Sequence, residues 1–127
     1  MAESVSITDP VLLIRIPQAF RDGMSDVALY EATRGVWKIG PRRERATYAL
    51  AVFEGIVKEV YQIGHWQPAL TTPYTSRKLD AALAAGRWEF MGKRAPNAVR
   101  DHYLGKSVAS YFKRGNRSPI IYVNVPE

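Results

Sequence analysis

At 127 residues, with 46% hydrophobic residues and a formal charge of +6, the chain has the length of one domain spanning 1–127 and too much apolar content for a disordered one. It has no cysteine, which excludes disulfides, thiolate metal sites and cysteine nucleophiles. No apolar run approaches the ~20 residues that cross a bilayer, and MAESVSITDP lacks a basic region followed by an apolar one, so a soluble cytoplasmic protein without signal peptide or membrane contact is expected.

In chain order, Val11–Ile16 is a short apolar run between two prolines and predicts a strand. Gln18–Met24 carries Arg-Asp-Gly and predicts a turn. Val27–Thr33 predicts a second strand, broken by Gly35, with Trp37 and Ile39 extended up to Gly40-Pro41. Arg42–Ala46 predicts a brief helix or a basic loop. Thr47–Phe53, apolar on both faces, predicts a central strand, and Glu54-Gly55 stands where a hairpin turn would go. Ile56–Ile63 alternates without a cleanly apolar parity, which predicts a twisted or bulged strand. A helix over Val52–Tyr61 is the competing pattern. Gln67–Thr75 is loop, and Arg77–Ala85 is a short helix former. Arg87–Met91 predicts a strand ended by Gly92. Pro96–Leu104 and Lys106–Phe112 predict two short helices, and Pro119–Val125 a closing strand. This order does not alternate strand with helix, which argues against a doubly wound parallel sheet. An α+β fold results: a small, mostly antiparallel β-barrel or curved sheet with flanking short helices.

The basic residues cluster. Arg42, Arg43 and Arg45 form one group, and the stretch after Arg87 holds Lys113, Arg114 and Arg117 with few acids. Such clusters are the electrostatic footprint of phosphate binding, although a solvated basic surface explains them as well. The two groups are expected on one face, as a continuous phosphate track. Trp37, Trp66 and Trp88 are the candidate base-stacking rings. Tryptophan also fills cores, and two of the three are expected to do so. Trp37 is the ligand-facing candidate because Arg34 and Lys38 flank it, with Arg34 expected beside its ring.

Catalytic motifs are incomplete. Gly105-Lys106-Ser107 matches the end of a phosphate-binding loop, but Arg100 stands where its first glycine belongs. A capped helix start is the plainer reading. His65 and His102 without cysteine make a poor zinc set. No acid precedes a lysine by two residues, which disfavours one type of metal nuclease. No catalytic residue, metal site or cofactor is assigned.

The stretch LYEATRGVWKIGPRRERATYALAVFEGIVKEVYQI, followed by GRWEFMG and GKSVASYFKRGNRSPIIYVNV, resembles a domain of bacterial proteins, many uncharacterised and some near restriction or defence genes. In layout it is similar to the PUA-like superfamily, which includes the EVE, ASCH and YTH modules. Trp37 and the Gly55-Ile56-Val57 strand start carry that likeness. It implies a small β-barrel that binds RNA or reads a modified base in an aromatic pocket, placed at Trp37 and with less weight at Trp66 and Trp88. The expectation is a non-catalytic nucleic-acid-binding module, its partner DNA or RNA and its ligand a candidate modified or flipped base. The alternatives are a protein-interaction subunit of a defence or regulatory complex, with other proteins as partners, and a small metal-dependent nuclease.

Overall fold

The computed structural model describes residues 2–16 and 23–127. The strands are β1 (Val11–Arg15), β2 (Gly35–Trp37), β3 (Tyr48–Phe53), β4 (Ile56–Pro68), β5 (Trp88–Arg94) and β6 (Ile120–Val123). They form one six-stranded sheet in the order β2-β5-β4-β3-β1-β6. β1 and β3 run parallel, and every other pair is antiparallel. The sheet curls into a mixed half-barrel with a few short helices, so the fold is the α+β, mostly antiparallel curved sheet that the strand content implies. All five runs expected to pair in one sheet do so. The turn expected at Gln18–Met24 lies largely outside the described residues.

Both faces of the sheet are buried, and residue parity divides them. Leu12 and Ile14 of β1 join Ala49 and Ala51 of β3 in one core, with Tyr61, Trp66 and Phe90. The alternate residues Val11, Leu13, Leu50 and Val52 join a second core with Val57, Val60 and Tyr103. This explains why the central strands read as apolar on both sides. Phe90, fully buried, anchors the first core by edge contact with Trp66, at 5.4 Å between centroids and 70°. Tyr103 anchors the second: its hydroxyl donates to Asp9 at 2.6 Å and accepts from the Thr8 amide. That ties the N-terminal arm to α3 (Asn97–Tyr103), the helix that the proline at 96 announces.

Two details produce the curl. The β3–β4 register shifts between Ala51 and Val52, and the β4–β5 register between Ile63 and His65. Bulges of this kind bend a strand and raise its twist. At the second shift the backbones close in so far that a Cβ on Gly92 would run into the Gln62 carbonyl. Gly92 therefore does not end its strand as expected. It lies inside β5, because only glycine permits that approach.

The segment Val27–Thr33, read as a strand, is a helix: α1, Asp26–Arg34. Ser25 caps it by accepting from the Ala28 amide, Asp26 lies in its first turn and Arg34 in its last, which suits the helix dipole. Leu29, Tyr30 and Ala32 pack on the first core. The Ala, Leu, Glu and Arg content, the Ser25 cap and the sheet beneath it decide for helix. Two other expected helices are shorter than their patterns. α2 is Ala81–Ala84, and the second is a 3₁₀ turn at Ala109–Tyr111. Pro41–Arg45 forms another 3₁₀ turn. No helix among the described residues is long and apolar enough to cross a membrane.

Candidate functional site

Arg34 does not meet Trp37. It is buried at 3% exposure, lies 3.2 Å from the Glu89 carboxylate and stacks over Tyr74, with its guanidinium carbon 3.9 Å from the ring centroid. Glu89 is fully buried and accepts from Gln67 Nε2, the Leu70 amide, and the amide and hydroxyl of Thr72. Burial pushes the Glu89 carboxyl up, but these hydrogen bonds outweigh it and hold the group below its ordinary value of 4.5. Glu31 works the same way. Burial raises it, while Ser76, Thr75 and the Arg34 charge lower it further, for a net depression. Burial also raises the Tyr74 phenol, whose hydroxyl packs where a Cβ on Gly35 would overlap it. These two acids strap the 70–77 loop onto α1 and β5. The predicted orienting arginine is therefore part of an internal ion pair.

Trp37 is half-buried and packed on the first core, and its indole N–H donates to the Thr33 carbonyl at 2.8 Å. Trp66 lies within the core, its indole nitrogen buried and without a partner. Trp88 is half-buried and sits opposite Trp37 across β2 and β5. It borders a cleft of about 400 Å³ with Pro68, Leu70, Ala84 and Arg87. The Arg43 guanidinium covers one ring at 3.6 Å from the Trp88 centroid.

The first arginine cluster closes the half-barrel. Arg43 is buried, stacks on Trp88 and donates to the Ile39 carbonyl. Its neighbour Arg42 makes two hydrogen bonds to the Val125 carbonyl and stacks over Tyr122 of β6 at 4.5 Å. In a flat sheet β5 and β6 would stand roughly 19 Å apart, four strand spacings. Two adjacent arginines reach both because the sheet curls. Arg45 is exposed.

The second cluster lies elsewhere. β1 and β6 pair so that Val11 faces Val123 and Ile14 faces Ile120. Arg42 holds the chain beyond Val123, at the Val11 end. Arg15, at the other end, donates to the Asn116 carbonyl and anchors the loop with Lys113, Arg114 and Arg117. Tyr122 packs on the first core and Phe112 on the second. Arg42 and the loop that Arg15 anchors thus lie at opposite ends of the β1–β6 pair, against rings of opposite cores, which separates the two clusters rather than joining them in one track. Basic clustering in sequence carries no information about which rings await it in space.

Lys113, Arg114 and Arg117 are exposed, and none makes an ion pair among the described residues. Next to them lies a cleft of about 410 Å³ lined by Arg15, Val52, Glu54, Gly55, Ala109 and Phe112. The Arg15 guanidinium stacks over Phe112 at 4.2 Å from the ring centroid. Here an aromatic ring and a planar cation meet, and the exposed Lys113, Arg114 and Arg117 follow Phe112 in the chain. Sequence reasoning missed Arg15 and Phe112, and took Glu54 only as a turn residue and as one of the acids of a metal-dependent nuclease. The signals available were an arginine inside the otherwise apolar VLLIRI and a glutamate at a turn that favours asparagine.

The partial phosphate-loop motif is occupied by the fold. The amides of Gly105, Lys106 and Ser107 donate to Val57, Tyr103 and Glu3, and Lys106 pairs with the Glu3 carboxylate. Ser107 instead accepts from the Ala109 amide. Among the described residues no group of three or more histidines and acids is gathered that would hold a metal ion. No family model, curated protein or solved structure matches the chain.

Proposed function

We propose that the protein is a non-catalytic cytoplasmic nucleic-acid-binding module that takes an unpaired base and its flanking phosphates. The observation that supports this reading is the cleft at Arg15 and Phe112, with three exposed cations on the loop that follows Phe112 and that Arg15 anchors. Unstacked bases settle on aromatic rings and guanidinium planes, and exposed lysines and arginines take phosphates. Lys113, Arg114 and Arg117 hold the backbone, and the Arg15–Phe112 stack receives the base. The kinship in layout to PUA-like modules belongs to the same proposal, with the pocket on this side of the sheet rather than at Trp37.

Binding to single-stranded DNA and RNA oligonucleotides, titrated with salt, tests the reading. Each phosphate contact on a single strand contributes a slope of about −0.7 in log affinity against log salt. Changing Lys113, Arg114 and Arg117 together to alanine should flatten the slope by about 2 and weaken binding. An unchanged slope sinks the assignment. Salt-insensitive association with a protein, and none with nucleic acid, would favour an interaction subunit instead.

A further inference from the structure

The cleft is lined by one acid and one cation, and the acid is oddly placed. Glu54 lines it together with Arg15 and Phe112. It is the first residue of the two-residue β3–β4 turn, with φ 51°, followed by Gly55 at φ 79°. Such turns prefer asparagine, aspartate or glycine, because other side chains crowd the left-handed backbone. A carboxylate also opposes the binding of phosphate. Neither the turn nor the phosphate contacts call for glutamate at this position. A base presenting N–H donors does.

We infer that Glu54 makes the cleft selective for guanine. This rests on the nucleic-acid reading above and deepens it. A carboxylate only accepts hydrogen bonds, and two adjacent donors match its two oxygens. Guanine alone of the common bases presents two adjacent donors on its pairing edge, N1–H and the 2-amino group. Adenine and cytosine each place a ring-nitrogen acceptor beside their amino group, which would face the second carboxylate oxygen unfavourably. Uracil and thymine offer one N–H between two carbonyls. The Arg15–Phe112 stack supplies the flat wall.

The experiment uses four short single-stranded oligonucleotides, identical except for one central base, bound to the full chain and to Glu54→Gln and Glu54→Gly. A fifth oligonucleotide carries hypoxanthine, which keeps N1–H and lacks the 2-amino group. The wild-type protein should prefer guanine by about tenfold, with hypoxanthine between guanine and the rest. Both variants should lose the preference while retaining salt-dependent binding. Thermal unfolding checks that they are folded, and glycine suits the turn backbone better than glutamate does. Equal affinity for all four bases with a steep salt slope overturns the guanine inference alone. A preference that survives in folded Glu54→Gln overturns the role of Glu54. If no oligonucleotide binds the wild-type protein, the nucleic-acid reading falls and this inference falls with it.

Discussion

Arg42 and Arg43 do one job, and Lys113, Arg114 and Arg117 are placed for another, though both groups look alike in sequence. The first pair stacks on Trp88 and Tyr122 and bonds to backbone carbonyls, so its charge is spent inside the molecule. The second group projects from a loop that Arg15 anchors, and meets solvent. Arg34 extends the first class to its limit, buried against Glu89. Arg34 and Arg43 are structural because the fold brings a ring or an acid to each and buries it. Lys113, Arg114 and Arg117 are exposed and have no ion-pair partner among the described residues.

The sharpest way to break this comparison is to remove the partner of the most buried arginine. Glu89→Gln keeps the shape of the side chain and removes the carboxylate that pairs with Arg34, which is buried at 3% exposure. Removing one partner of a buried pair costs about 3–5 kcal/mol, and urea unfolding should show a loss of that size. A loss under about 1 kcal/mol would mean that water reaches the pair and that the strap is not a sealed structure.

Arg43→Ala should come next. It removes the stack on Trp88 and the bond to Ile39, and opens the half-barrel. A desolvated cation–π contact and its packing predict a loss of about 2–3 kcal/mol. The salt slope for oligonucleotide binding should not change. A flatter slope with stability intact would return Arg43 to the phosphate contacts.

Acid should loosen the strap. Glu31 and Glu89 are both depressed below their ordinary value of 4.5 in the folded protein. A depressed carboxyl stabilises fully above its unfolded value, and that stability is lost as pH falls through the folded value. Stability contributed by the 70–77 loop should therefore be constant above about pH 5 and decline below about 4.5. Hydrogen exchange at the Thr72, Thr75 and Ser76 amides, which donate to these acids, should accelerate over that window. Protection that persists well below it would show that the loop is held by other contacts.

The smallest effect sharpens the comparison from its other side. Alanine at Lys113, Arg114 and Arg117 together should change folding stability by less than about 0.5 kcal/mol, since each is exposed and unpaired among the described residues. Thermal and urea unfolding of the triple variant provide the check. A loss above about 1 kcal/mol would place these residues in the structural class with Arg42 and Arg43.

Five of the strands were legible because pattern and context agreed. VLLIRI and YALAVF are apolar on both parities because both of their faces are covered, and the hairpin follows from Glu54-Gly55. α1 was not legible as a helix. Val27, Tyr30 and Thr33 suit a strand as well as a helix, the stretch is only nine residues long, and the Ser25 cap gains its force from the core on which Leu29 and Ala32 settle. The candidate site was legible only in part. Lys113, Arg114 and Arg117 could be read as a group, but not their neighbours, because Arg15, Glu54 and Phe112 come from three distant segments.

The sequence by itself determined that strands dominate, that the charge is positive and that thiol chemistry is absent. Those properties depend on side-chain periodicity and composition, which are local. Only the tertiary structure decided which arginines are buried, which rings they cover and which face keeps its cations free. Those outcomes depend on the register shifts at Val52 and Gly64 and on the curl they produce, which brings β5 and β6 to adjacent arginines and leaves the 113–117 loop beyond their reach.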